Sequence, residues 1–413
     1  MIFKTPTLDE HDEQVIANIH EAKTNLGYAL HVPRRWTGLL RRSTLGRAIR
    51  GSNSIEGYRI GKEDVVAAAT GEFVEGNEDT RQATESYRRA MTYALRLAAE
   101  RDFVWSTQVI KSLHYMMLEH VPDKNPGKWR PGPIFVVDED KNEKVYEGPN
   151  FDSVPPLMDE LVDSLASAGK TPTLVAAAMA HLNLTMIHPF SDGNGRMARC
   201  LQTLVLGRGG TLEPTFSSIE EFLGRNHRPY YDVLAAVGQG KWRPDSDARP
   251  WVRFCLRAHY YQAHTLLRRM REGERTWTVL EAQVTALGLP ERMVSALWDA
   301  AHGFKVRNGT YRSAADISEQ SASKDLRALV NAGLLEAHGA KRGRFYLAAP
   351  KILEVQEGDA EDRIMPDPYG GIVTAPTLVS KTTTTTTIQK PSMATSSTGP
   401  LPPSGQSRRD GSR

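Results

Sequence analysis

The stretch HLNLTMIHPFSDGNGRMARCLQTLVLG, His181–Gly207, decides how this chain is read. It continues from TLVAAAMA (Thr173–Ala180), so TLVAAAMAHLNLTMI is apolar almost all round, the pattern of a helix buried on every side. Pro189 ends that helix, because it has no N–H and drives the preceding residue out of the right-handed helical region. His188 is thereby held at the lip of a buried helix, where a ring nitrogen can face a cleft and act as a general base. SDGNGR, Ser191–Arg196, reads as a tight turn into a second helix, MARCLQTLVL, with Gly193 and Gly195 admitting positive φ and Asn194 tolerating it. Consecutive N–H groups in such a turn form an anion nest, and the following helix adds the positive end of its dipole. Arg196 and Arg199 lie one turn apart on that helix, within reach of the same phosphates. Asp192 is the carboxylate that a Mg²⁺ ion carrying phosphate oxygens requires. Taken singly, a His before Pro, a Gly-Asn-Gly turn and a pair of arginines are ordinary. Together they form a candidate nucleotide-phosphate site without a P-loop, since GxxxxGK[ST] occurs nowhere in the chain.

Outward from this segment the chain divides into four zones. Residues 1–102 are polar and helical in pattern, with Tyr87, Met91, Ala94 and Leu97 recurring as an amphipathic helix requires. Residues 103–263 continue the helical pattern around GKWRPGPIFVVDEDKNEKVYEGP, where two short apolar runs flank a charged turn and predict an inserted β-hairpin. In residues 270–350, SASKDLRALVNAG predicts a helix stopped by Gly333, and LLEAHGAKRGRFYL predicts strand, basic turn, strand. Helix, turn, helix, hairpin is the order of a winged helix. Residues 355–413, with EGDAED, a threonine run from Thr382 to Thr387 and a Pro/Ser/Gly-rich end, predict a disordered tail. The expected fold class is therefore mainly α: a helical core with a β-hairpin flap, a small α+β winged-helix domain and the tail.

Composition excludes several classes. The 413 residues carry 52 Lys plus Arg against 49 acidic residues, a net +3 that makes no global case for nucleic acid or an anionic membrane. The cysteines, Cys200 and Cys255, form no C-x-x-C pair and are too few for a disulfide framework, so both are expected reduced and buried. The start MIFKTPTLDEHDEQV has no apolar h-region, and no apolar run reaches a membrane span, so a cytoplasmic protein with no membrane partner is expected.

HPFSDGNGRMAR matches in full the signature HPFx[D/E]GNGRxxR, and on it the chain is similar to the Fic family. GKWRPGPIFVV with VYEGPNFDSVPPLMDELV resembles that family's flap and the helix after it, and YYDVLAAV and ARPWVRFCLRA resemble its closing helices. The resemblance implies transfer of AMP from ATP to a Ser, Thr or Tyr hydroxyl of a target protein, and of the chain itself. His188 would take the hydroxyl proton, Asp192 would hold Mg²⁺, and the N–H groups of Gly193, Asn194 and Gly195 would cradle phosphates, with Asn194 also near the α-phosphate. Arg196 would serve the inner phosphates and Arg199 the γ-phosphate, with Phe190 a core anchor. Gly at 195, where relatives that use ATP as a phosphate donor carry Lys, favours nucleotidyl transfer.

Ser52-Asn53-Ser54-Ile55-Glu56-Gly57 fits the family's inhibitory pattern [S/T]xxxE[G/N], and the spacing puts Ser52 and Glu56 on one helical face with Gly57 as a stop. By resemblance Glu56 would pair with Arg199 and take the cation meant for the γ-phosphate. Tyr230 and Tyr231 would lie where the family packs the adenine, one of the two being core. The exposed strand PIFVV would accept a target segment by strand addition, with Lys128 and Trp129 at its base. A rival reading is DNA binding by the winged helix, through Ser321, Ser323, Lys324 and Arg327 on its second helix and Lys341, Arg342 and Arg344 in the wing. Another is a donor such as UTP or a phosphocholine nucleotide.

Overall fold

The computed structural model describes residues 1–31, 34–72, 75–138, 143–169, 171–210, 214–354 and 365–370. The N-terminal helices are α1 Glu10–His31, α2 Thr37–Ile55, α3 Val65–Thr70 and α4 Glu78–Ala99. Then come α5 Thr107–Leu118, strands β1 Phe135–Asp138 and β2 Glu143–Glu147, α6 Val154–Ala166, α7 Thr173–Ile187, α8 Asn194–Arg208, α9 Pro214–Ser217, α10 Glu220–Arg225 and α11 His227–Gly238. The long α12, Arg249–Ala286, leads to α13 Val294–Ala301, α14 Asn308–Ala315, α15 Glu319–Asn331, β3 Leu335–His338, β4 Phe345–Ala348 and α16 Pro350–Leu353. The fold is mainly helical, with two antiparallel two-stranded sheets, β1-β2 and β3-β4.

The centre is the α7–α8 pair. Leu174, Val175, Leu182, Leu184 and Ile187 of α7 pack against Met197, Leu201 and Leu204 of α8, all buried. Two polar groups that enter this core find carbonyl partners. The Trp251 indole donates to Ala178 O at 2.7 Å, and the Tyr146 hydroxyl from β2 donates to Met186 O at 2.8 Å. The second bond ties the hairpin to the C-terminal end of α7.

Two expectations about boundaries are corrected. The zone spanning 1–102 is shared between two cores: Ile19 of α1 and Ile49 of α2 join the α7–α8 core, whereas Leu26, Leu39 and Leu40 pack with Leu280, Trp298, Tyr311 and Leu326. The break expected between 263 and 270 falls inside α12, whose 38 residues contain no proline after Pro250 and no glycine between 263 and 270. Ion pairs reinforce the shared second core. Arg42 of α2 donates to Asp299 at 2.6 Å, and Arg307 Nη2 lies 2.8 Å from Asp64.

Within the expected tail, residues 355–364 and 371–413 lie outside the described residues. Residues 365–370 are packed, which corrects the expectation for them. The Tyr369 ring lies under the Arg253 and Arg257 guanidinium groups, and its hydroxyl donates to Asp12 Oδ1 at 3.0 Å. Arg257 also donates to Asp367 at 3.0 Å. One aromatic between two cations, with the Asp367 carboxylate, anchors this short Pro-containing segment.

Candidate active site

α7 stops at Ile187, and His188 caps it in the left-handed conformation with φ 53° and ψ 57°, its N–H donating to Leu184 O at 3.0 Å. The Nδ1–H of His188 donates to Thr185 O at 3.0 Å, which leaves Nε2 with a lone pair. Burial, together with the charge of Arg130, pulls the imidazole pKa below its ordinary value against weaker opposing contributions from Thr185, Glu56 and Asp192. A neutral, oriented imidazole at the edge of a cleft can accept a proton.

The loop beyond His188 is braced from inside. Phe190 is buried and stacks on His114 with centroids 3.6 Å apart, which makes it the loop's anchor. The Asn194 side chain accepts from Phe190 N and donates to Phe190 O, both at 2.9 Å. Its carboxamide therefore closes the loop. Gly193 takes positive φ, 73°, as the cap of α8, but Asn194 and Gly195 are already helical, so positive φ is confined to Gly193. Gly193 N donates to Asp192 Oδ1 at 2.6 Å. The amides of Asn194, Gly195 and Arg196 form the first turn of α8, where the helix provides no carbonyl partner. The expected nest is thus a helix N-terminus.

Arg196 and Arg199 are both buried, 1% exposed. Arg196 lies with its guanidinium 5.2 Å from the Tyr58 ring centroid, and its Nε and Nη1 have no hydrogen-bond partner among the described residues. Such buried donors are unfavourable unless an acceptor arrives. Arg199 is held by the end of α2: its Nε donates to Ser52 Oγ at 2.7 Å, and its Nη2 to Ser52 O at 3.1 Å and Glu56 Oε1 at 2.7 Å, while Nη1 has no partner among the described residues. Burial would raise the Glu56 pKa, but Arg199 first and Arg196 second outweigh it and hold the carboxyl below its ordinary value. Gly57 ends the segment at φ 83°. A Cβ on Gly195 would lie 2.5 Å from Glu56 Oε1, so glycine at that position is what lets the carboxylate approach α8.

Asp192 is half exposed, with Oδ2 3.9 Å from Lys124 Nζ. No cluster of three or more acidic, His or Cys ligands occurs among the described residues. A single accessible carboxylate still fits Mg²⁺, which keeps several waters and takes further oxygens from substrate phosphates. Tyr230 is buried and receives or donates a hydrogen bond with His181 Nε2 at 3.0 Å, so it is the core member of its pair. Tyr231 is 47% exposed and its hydroxyl donates to Ile55 O at 3.3 Å, beside the end of α2.

Two residues missed by sequence reasoning support the loop. His114 accepts from Gly127 N at 2.9 Å through Nδ1 and donates to Asp192 O at 3.0 Å through Nε2. Burial holds this imidazole neutral, its pKa lowered to about 4. Arg130 contacts His188 itself. Neither lies in a local pattern that marks it, because each acts on a segment far away in sequence.

Residues 104–206 match the Fic/DOC family. The chain is 34% identical over 161 residues to "Protein adenylyltransferase Fic" of Aedes aegypti, covering 38% of this chain and 28% of that protein. It is 27% identical over 265 residues to "Protein adenylyltransferase fic-1" of Caenorhabditis elegans, covering 60% of this chain and 46% of the relative. The chain thus spans less than half the length of these relatives. A crystal structure of a Fic family protein from Desulfovibrio desulfuricans G20 shares the fold, with a TM-score of 0.53 at 23% identity over 84% of this chain and 98% of that one.

Proposed function

We propose that the protein is an adenylyltransferase that moves AMP from ATP to a hydroxyl side chain of a target protein and of itself, and that Glu56 restrains it. The observation that carries this reading is the joint presence of a free His188 Nε2, the open first turn of α8 and the unpaired Arg196 donors in one loop. His188 takes the proton as the acceptor oxygen forms a bond to the α-phosphorus of ATP. The bond from that phosphorus to the β-phosphate bridging oxygen breaks, and pyrophosphate leaves. The amides of Asn194, Gly195 and Arg196, with the Arg196 guanidinium, bind the phosphates. Asp192 would hold a Mg²⁺ ion, whose charge when bound offsets that of the phosphates. Release of Arg199 from Glu56 frees it for the γ-phosphate. The edge of β1 that pairs with no strand among the described residues, with Phe135 and Val137 half exposed, suits an extended target segment.

The protein fits a cytoplasmic setting, supported by two buried free cysteines; no described helix is long and apolar enough to cross a membrane. Incubating the purified chain with each nucleoside triphosphate and Mg²⁺ and weighing it intact tests the donor: an AMP increment from ATP alone is expected. No increment from the Glu56→Gly chain, or a preference for another nucleotide, overturns the reading.

A second reading, nucleic-acid contact by α14–β4 as a winged helix, draws on Lys324, Arg327, Lys341 and Arg344, all exposed. Ser323 is instead engaged by Asn308 at 2.9 Å, Ser321 by Ser318 at 3.0 Å, and the Arg342 side chain lies outside the described residues. Salt-dependent retention of the full chain on duplex DNA, lost when the wing is neutralised, would support it; no retention at low salt removes it.

A further inference from the structure

Arg130 has no part in the chemistry assigned above, yet its side chain is bonded directly to the peptide of His188. It is 4% exposed, and no carboxylate partners it among the described residues. Its partners are backbone carbonyls from three segments. Nε donates to His188 O at 2.9 Å, Nη1 to Gly132 O at 2.6 Å, and Nη2 to Pro149 O at 2.5 Å, while its own N–H donates to Pro189 O at 2.9 Å.

Those segments are the ones that must be registered for transfer. His188 is a non-glycine residue in the left-handed region, which L-residues enter only with support. Gly132 precedes β1 and Pro149 follows β2, so one guanidinium holds both stems of the hairpin and the peptide of the base together. The hairpin has little packing of its own, being a two-stranded sheet with Phe135 and Val137 half exposed. The clamp is tight: a Cβ on Gly148 would lie 3.4 Å from Arg130 Nη2 and 2.9 Å from Ile134 Cγ2. A buried cation on neutral acceptors is a costly way to fill space. Its planar fork, however, can address three carbonyls at once, which a lysine ammonium on a flexible stem cannot do in the same directions.

We propose that Arg130 is the positioning residue of this site, fixing the His188 imidazole towards the cleft and setting the register of β1 against it. This rests on the transferase reading above. Alignment of base and acceptor governs the chemical step, and a displacement near an ångström costs about a hundredfold. Nucleotide binding depends on α8, which Arg130 does not touch.

The test uses the full chain carrying Glu56→Gly, with self-labelling by ATP as the readout, and compares Arg130→Lys and Arg130→Ala. The rate at saturating ATP is expected to fall by about 10- to 100-fold while the KM for ATP stays unchanged. Added guanidinium is expected to restore part of the rate in Arg130→Ala. Amide exchange is expected to accelerate at residues 188–190 and 132–137 but not along α8. An unchanged rate per folded molecule, an ATP KM that rises in step with the loss, or unchanged exchange in those segments overturns the proposal. Should the Glu56→Gly parent label nothing, the transferase reading fails by itself, and the exchange measurement still decides whether Arg130 holds the loop and flap.

Discussion

Removing the Glu56 carboxylate is the perturbation that most directly probes the reading of this site. Its Oε1 lies 2.7 Å from Arg199 Nη2, with the arginine side chain 0% and the glutamate 25% exposed, so water screens the pair only weakly. A hydrogen bond between charged groups contributes about 1.5–3 kcal/mol. At about 1.4 kcal/mol per factor of ten, that favours the closed arrangement by roughly 10- to 150-fold. Glu56→Gly is therefore expected to raise AMP incorporation by about one to two orders of magnitude. Glu56→Gln should fall between, since it keeps a donor–acceptor contact without the charge. Arg199→Ala placed on Glu56→Gly should abolish most of the gain, because the freed cation is what the γ-phosphate uses. Initial rates of self-labelling from radiolabelled ATP provide the measurement. Because Arg199 holds the Glu56 pKa below its ordinary 4.5, mild acid should not release the restraint: the ratio of mutant to parent should be the same at pH 6 as at pH 7.5. Equal labelling by parent and Glu56→Gly would refute the argument.

Three further outcomes are expected. His188→Ala should lower labelling by about 10²- to 10⁴-fold without loss of fold; in the Glu56→Gly chain the rate should stay flat from pH 8 to 7 and fall only below the ordinary histidine value of 6.5, since burial lowers the His188 pKa. His114, at about 4 when folded against 6.5 unfolded, binds fewer protons in the native state. Stability present above pH 6.5 should thus be lost as pH falls towards 4, at up to about 1.4 kcal/mol per unit, and His114→Gln should flatten that slope in urea titrations at several pH values. Gly51→Ala places a Cβ 2.4 Å from Glu220 O, so it should push α2 from α10, cost about 1–3 kcal/mol in chemical denaturation and raise basal labelling through a looser Glu56.

Whatever is local in this protein can be read along the chain. The stop at His188-Pro189, the glycine cap of α8, the buried character of α7 and the four-residue spacing of Ser52 and Glu56 follow from φ restrictions and helical periodicity, and the structure has each of them. Local patterns also misled. Two glycines and an asparagine in a row suggested a run of positive φ, but only Gly193 takes it, because helix formation captures Asn194 and Gly195 once the turn is made. No residue near 263–270 interrupts periodicity, so the texture change there did not mark a break in α12.

Tertiary structure alone decided which distant groups meet. Arg130 reaches His188 across 58 positions, a contact that carries no signature at either end; Glu56 reaches Arg199 across 143, a pairing that resemblance to the Fic family implied but no local periodicity could. It also separated two adjacent tyrosines, burying Tyr230 against His181 and leaving Tyr231 at the end of α2. The physical reason is one of range. Backbone sterics and side-chain periodicity act over a few residues, and so they specify the loop and its chemistry. The partners that restrain and align that chemistry are chosen by packing, which depends on how the helices close around α7 and α8.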